Sequence, residues 1–313
     1  MTFSQSVKNE ILKSLRHLKP CCSKGFLTAV FKTSGSLKLD YNGISFCLDS
    51  ENDAFLKFCS RLAKEVCGIG GKMEENGVNA KGTPTYTCKF NGEIGKHLGF
   101  SNNDGFNFLL LQQAVQMPTE PCCMRTFLQG LFVSCGSVMI PFAEDDLGES
   151  QSASSKYHLE MRFTDEEFAN QVLQTYQHLG FHKTTRKNYT VLYIKNSSAI
   201  ADFFVYVNAM SAKLKLENII IGRSIRNTAN RQRNCIEANI EKAVLASERQ
   251  LSAIAELKRK GLYQSLPQSL KDVAEIRQEF PEANLDEIAS RLGISKSGAN
   301  HRLARLIQLS QND

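Results

Sequence analysis

CCMRTFLQGLFVSCGSV, residues 122–138, occurs in this chain twice: CCSKGFLTAVFKTSGSL, residues 21–37, is the other copy. Aligned without a gap at an offset of 101, the two share the Cys pair, Phe26/Phe127, Leu27/Leu128, Phe31/Phe132, Gly35/Gly136 and Ser36/Ser137. An apolar segment repeated at a fixed interval and closed by Gly-Ser is an architectural element. Its two copies most simply pack on each other as helices about a pseudo-twofold axis. Small residues favour that approach: Ala29, Thr33 and Ser34 face Gly130, Ser134 and Cys135 in the equivalent register.

The segments downstream of the two copies repeat as well. GSLKLDYNGISFCLDS predicts a hairpin, with Leu37, Leu39 and Tyr41 alternating with polar residues, a turn at Asn42-Gly43, and Ile44, Phe46 and Leu48 beyond. Ser50 is placed to cap the next helix, with Asp53 in the reciprocal position and Gly68 as the stop. Strands near 71–75 and 85–90 and a short helix near 94–98 complete the order αββαββα. The second copy leads through a strand, a polar loop (FAEDDLGESQSASSK) and a strand at 157–163 to a helix capped by Thr164, with Glu167 in the box position and Gly180 as the stop. Strands at 181–186 and 189–195 and a helix through Ile200, Phe203, Phe204 and Val207 repeat the order. Ahead of both, Phe3, Val7, Ile11, Leu15 and Leu18 recur at helical spacing.

Length and composition agree with this picture. A chain of 313 residues, 42% hydrophobic and 22% charged, is an ordinary globular protein of about two domains. The absence of any apolar run of ~18 residues predicts no membrane span. The first 20 residues lack an apolar h-region, so no secretory signal is expected. Ten cysteines then imply a reducing cytosol and free thiols. The net charge of +6 is concentrated: residues 213–260 hold eleven Lys/Arg against five Asp/Glu. An anionic polymer is the natural partner of such a segment.

Within that segment a strand-like run, 219–221, gives way at Gly222 to Arg223, Arg226, Arg231 and Arg233, interleaved with asparagines, and then to a helix over about 235–260. Arg and Asn together suit phosphates and base edges. The C-terminal block reads as three short helices, 268–280, 285–292 and 296–309. EIASRLGISKSGANHRLARL has helix-turn-helix spacing, with Asn284 and Ser295 as caps. On the last helix Ala299, Leu303 and Leu306 face inward. Ser295, Lys296, Ser297, Gly298, Asn300, His301, Arg302 and Arg305 are the candidate DNA-binding residues there, joined by the four arginines upstream. No acid lies between 288 and 312. Gly298 costs roughly 1 kcal/mol of helix propensity, which suits close approach of the backbone to DNA.

The tandem αββαββα units over roughly 20–208, each led by a helix ending in Gly-Ser, resemble the single-chain LAGLIDADG homing endonucleases. The resemblance implies a pseudo-dimer whose two sheets form a saddle over DNA. In that family the residue before the closing Gly is an acid that binds a divalent metal. Here Ser34 and Cys135 stand at those places, and Lys32 and Val133 at the second acidic position. A hydroxyl and a thiol cannot replace carboxylates as hard ligands for Mg²⁺, so no nuclease activity, catalytic residue or cofactor is expected. Four sulfurs, Cys21, Cys22, Cys122 and Cys123, could converge, and zinc would accept four thiolates. Adjacent cysteines chelate poorly, however, and one of each pair should point away. The expectation is small thiols at helix starts and no metal.

RNTANRQRNCIEAN and GISKSGANHRL, together with the core, are similar to the WhiA family of bacterial DNA-binding regulators over essentially the whole chain. The expected fold is α+β: a tandem αββαββα LAGLIDADG-like pseudo-dimer with a C-terminal all-α helix-turn-helix domain. The expected divisions are 1–210 (repeats at about 20–100 and 121–208), a basic helical connector at 211–260, and the helix-turn-helix at 261–313. The resemblance implies a non-enzymatic, sequence-specific transcription regulator tied to sporulation, cell division and chromosome segregation. Its partner would be double-stranded DNA, with other regulatory proteins meeting the core, as a cytoplasmic, nucleoid-associated monomer with no membrane contact. The competing readings are a nuclease or maturase relative, marked by Mg²⁺-dependent cleavage or intron binding, and a scaffold that ignores duplex DNA.

Overall fold

The computed structural model describes residues 2–41, 43–80, 82–100, 115–141 and 156–311. The chain divides into two units, Met1–Gly222 and Arg223–Asp313. The first opens with α1 (Phe3–Ser14), whose Val7 and Ile11 are buried as the helical spacing requires. The first repeat is α2 (Pro20–Ser34), β1 (Gly35–Asp40), β2 (Gly43–Ser50), α3 (Asp53–Cys67), β3 (Lys72–Val78), β4 (Pro84–Asn91) and α4 (Ile94–Leu98). The second is α5 (Pro121–Cys135), β5 (Gly136–Met139), β6 (His158–Phe163), α6 (Glu166–Thr175), β7 (His182–Arg186), β8 (Tyr189–Ile194) and α7 (Ser197–Tyr206). The order αββαββα is thus written twice. The sheets, β1-β2-β4-β3 and β5-β6-β8-β7, are antiparallel and have the same strand order.

The repeated stretches are α2 and α5, and they pack against each other at the centre. Phe26, Leu27, Phe31, Phe127, Leu128 and Phe132 are fully buried among the sheets and flanking helices. Both helices stop at Gly because the chain turns at once into a strand. A Cβ on Gly35 or Gly136 would run into the backbone of Phe31 or Phe132. The helices approach closely where the sequence supplies small residues. A Cβ on Gly130 would lie 2.7 Å from the Phe26 carbonyl oxygen and 3.0 Å from the Ala29 methyl. Thr33 and Ser134, at equivalent positions of the two copies, share a 2.6 Å hydrogen bond across the axis.

Two helix starts differ from expectation. Asn52 caps α3 by accepting the Phe55 N–H, and Asp165 caps α6 by accepting the Phe168 N–H; Ser50 and Thr164 are not the caps. The stop at Gly68 is as expected, in the left-handed region at φ 71°. The helix α6, however, already ends at Thr175 with Tyr176 as its C-cap, and Gly180, at φ 73°, closes the short 3-10 turn Gln177–Leu179 that follows. The turn residue Asn42 and most of the polar loop, 142–155, lie outside the described residues.

The larger difference is α8 (Met210–Arg259), a single helix of 50 residues. Residues 219–221, strand-like by β-branching, are helical because Ala212 and Leu216 are buried and Ile219 and Ile220 pack beside them, a helical spacing. Glu10 of α1 starts this helix, its carboxylate accepting the Ser211 and Ala212 N–H groups at 2.6 and 3.1 Å. In the second unit Ile254 and Leu257 of α8 join α9 (Gln268–Glu279), α10 (Leu285–Arg291) and α11 (Lys296–Gln311) around a separate core. That core is Leu270, Val273, Ala274, Ile288, Ala289, Ala299, Leu303 and Leu306. Among the described residues no helix is long and apolar enough to cross a membrane.

Candidate functional site

At the C-terminal ends of α2 and α5, the places where the endonuclease resemblance puts acids, this chain has a hydroxyl and a thiol. Ser34 is half-buried, and Cys135 gives its thiol to the Leu131 carbonyl at 3.2 Å. Burial pushes that thiol up to about 12. Lys8 lines a cavity of about 300 Å³ with Ser34, Ser134, Ser137, Asp49 and Glu51, and burial holds its ammonium below the ordinary lysine range. Lys32, whose side chain is 1% exposed, forms a 2.9 Å ion pair with Asp165 of the other repeat. Glu160 is occupied by His158 at 3.0 Å and Arg162 at 2.7 Å. Burial works to raise its carboxyl, but the His158 and Arg162 hydrogen bonds outweigh burial and hold it low. Neither helix end supplies a carboxylate of its own: Ser34 and Cys135 stand there, and the acids of the cavity, Asp49 and Glu51, come from the end of β2 and the link to α3, with Lys8 in the same cavity.

The opposite ends of the same helices depart from expectation. Cys21, Cys22, Cys122 and Cys123 bring all four sulfurs within 4.8 Å of one another, so none points away. The cluster sits at the helix starts, where neighbouring side chains can converge despite the ~100° between successive residues.

The helix-turn-helix is built from local rules. Asn284 Oδ1 accepts the Asp286 and Glu287 N–H groups at 2.9 and 3.0 Å, and Glu287 accepts the Asn284 N–H at 3.0 Å, a complete capping box. Gly293 takes φ 64° in the turn, and the Ile294 N–H returns to the Ala289 carbonyl at 3.0 Å. Ser295 Oγ then accepts the Gly298 N–H at 3.1 Å to start α11. A Cβ at 298 would press on that hydroxyl at 3.3 Å, so the glycine also serves the cap. Arg277, buried in α9, donates to the Pro281 and Ala283 carbonyls at 3.1 and 2.7 Å and fixes the turn ahead of α10.

With Ala299, Leu303 and Leu306 buried, α11 presents Ser295, Lys296, Ser297, Asn300, His301 and Arg305 as exposed residues, and Gly298 and Arg302 as half-buried ones. Lys296 is paired with Asp286 at 2.6 Å, a partner that sequence reading passed over because the two are ten residues apart. On α8, Arg231 and Arg233 are exposed while Arg223 and Arg226 are half-buried. One continuous helix at 3.6 residues per turn sets Arg223, Arg226, Asn230 and Arg233 on a common face, with Arg231 turned away from it. Arg233 donates to Asn230 at 3.3 Å. Sequence reading missed this face because it broke the helix at Gly222.

Two family domains are recognised in the chain by comparison with known proteins. The WhiA LAGLIDADG-like domain matches residues 124–226, and the WhiA C-terminal HTH domain matches residues 229–310. The probable cell division protein WhiA of Heliobacterium modesticaldum is 30% identical, over 99% of this chain and 96% of that protein. The protein of the same name from Syntrophomonas wolfei is 32% identical, over 98% and 96%. Among solved structures, full-length DUF199/WhiA from Thermatoga maritima superposes with a TM-score of 0.54 at 22% identity, covering 100% of both chains. At that identity the likeness concerns the fold.

Proposed function

This chain belongs to the WhiA family, and from that premise we propose that it is a non-enzymatic, sequence-specific DNA-binding transcription regulator. The relatives' names point the same way for process, so its targets belong to cell division; chromosome segregation and, in sporulating relatives, sporulation are part of the reading. It works as a cytoplasmic, nucleoid-associated monomer. Residues 261–313 read bases, the basic connector at 211–260 holds phosphates, and the core at 1–210 is a platform for flanking DNA or regulatory proteins.

The observation that carries this reading is the outer face of α11: exposed polar and basic residues on a capped helix, with no acid from 288 to 312. A helix entering the major groove by its N-terminus offers Lys296, Ser297, Asn300 and His301 to base edges, and Asn pairs bidentately with adenine. Arg302, Arg305 and the Arg223/Arg226/Arg233 face, with Arg231, suit phosphates. Ser34 and Cys135, standing where the endonuclease resemblance puts acids, support the non-enzymatic half.

Binding to cognate and random duplexes across a salt series tests it. Asn300→Ala should relax preference at one base position by about 1–3 kcal/mol, while Arg302→Ala weakens binding to every sequence. Arg231→Ala and Arg233→Ala should each reduce the salt slope by about one. Equal losses on cognate and random DNA for Asn300→Ala and Arg302→Ala would sink the division of roles. Mg²⁺-dependent cleavage would sink the non-enzymatic reading.

A further inference from the structure

The two cysteine pairs are given no role in the proposed DNA binding, yet among the described residues they are where metal-ligating side chains gather. Cys21 and Cys22 come after Pro20 in the first turn of α2, and Cys122 and Cys123 come after Pro121 in the first turn of α5. The internal repeat therefore delivers the second pair to the place where the first already stands. The Cys22 and Cys123 sulfurs are 3.9 Å apart, as are those of Cys122 and Cys123, and all four lie within 4.8 Å. Four thiolates placed tetrahedrally at about 2.3 Å from a zinc ion are separated by about 3.8 Å from one another. A disulfide would need about 2.05 Å, and all ten cysteines are free thiols.

The surroundings fit an anionic metal cluster. Neither α2 nor α5 has a side-chain hydrogen bond at its N-cap, so the positive ends of two helices meet at the sulfurs. Lys24 and Glu120 line a cavity shared with Cys21 and Cys123, so the side chains nearby are charge-balanced and the two helix ends supply the positive field. Cys22 and Cys123 are buried and make a dry inner half, while Cys21 and Cys122 are exposed and leave a route of entry.

We propose that Cys21, Cys22, Cys122 and Cys123 form a tetrathiolate Zn²⁺ site that ties the starts of the two central helices together. Four thiols lose four protons as four Zn–S bonds form, and no oxidant or reductant is involved. With all four positions filled by protein, the site is closed and structural and leaves no place for a substrate.

The test is elemental analysis of the full chain, purified without metal-affinity resin and under reducing conditions. About one zinc per chain is expected. After stripping by a chelator, Co²⁺ should restore an intense sulfur-to-metal charge-transfer band in the near ultraviolet. The melting temperature should fall by roughly 5–10 °C on stripping and return with Zn²⁺. The Cys21→Ser/Cys122→Ser double variant alters the exposed thiols only. It should keep its far-ultraviolet circular dichroism and hold less than about a tenth of the zinc. A chain that purifies without zinc and gives no Co²⁺–thiolate band overturns the proposal. So does zinc retained in full by the double variant, or a Cys22–Cys123 disulfide found by mass spectrometry of the native protein. None of these readouts involves DNA, so the proposal stands or falls apart from the regulatory reading.

Discussion

Asp165 accepts the Phe168 N–H with one carboxylate oxygen and the Lys32 ammonium, from the other repeat, with the second. Burial tends to raise this carboxyl, but the Phe168 and Lys32 hydrogen bonds prevail and hold it below the ordinary aspartate range. A lowered folded-state value means stability that is present above the unfolded value near 3.9 and disappears as pH falls through the folded one. Asp165→Asn keeps a cap acceptor but removes the charge opposite a nearly inaccessible ammonium. We expect it to lower stability by about 2–3 kcal/mol in urea unfolding at pH 7, with the gap from the parent closing below about pH 4. The sequence showed Lys32 as a departure from the endonuclease acids. It did not show Asp165 as the partner, since 133 residues separate the two and Thr164 looked like the better cap.

At the scale of elements, legibility tracked the range of the interactions. The helix-turn-helix was readable nearly to the residue because its caps, turn glycine and inward positions are all set locally, from Asn284 to Leu306. The motif helices were readable because the chain states them twice. The start of α8 was not: β-branched 219–221 and Gly222 argue locally against a helix, and only burial of Leu216 against distant elements overrides them. The expectation that one cysteine of each pair points away failed for a similar reason, since convergence of all four sulfurs depends on how two helix starts meet. The α2–α5 contact gives a sharp test at this scale. Gly130→Ala puts a methyl against the Phe26 carbonyl oxygen, which belongs to a buried helix and cannot swing away. It should destabilise by about 1–3 kcal/mol in chemical denaturation. Gly25→Ala, whose nearest neighbour is the Cys123 carbonyl oxygen at 3.7 Å, should be neutral or stabilise by up to ~1 kcal/mol through helix propensity.

For the whole chain, the two cores belong to different units, and α8 contributes to both: Ala212 and Leu216 to the first, Ile254 and Leu257 to the second. A fragment ending at residue 222 should therefore melt cooperatively. One ending at 212, where sequence charge alone would place the cut, loses the fully buried Leu216 and should be less stable by about 2–5 kcal/mol in urea. If both fragments unfold at the same midpoint, that part of α8 is not part of the first core. The Lys32–Asp165 bond also has a consequence before the chain is complete, because it is not duplicated. The repeat-related positions hold Val133 and Asn52, which line a common cavity and carry no charge. A nascent chain exposes α2 while α5 is still being synthesised, and neighbouring chains on one messenger expose the same helix. Two such helices joining would set two Lys32 ammonium groups opposite Asn52 in place of Asp165, giving up the ion pair that the correct partner supplies. The ion pair thus gives the pseudo-dimer a polarity, biasing each first half to wait for its own second half over docking on another ribosome's product.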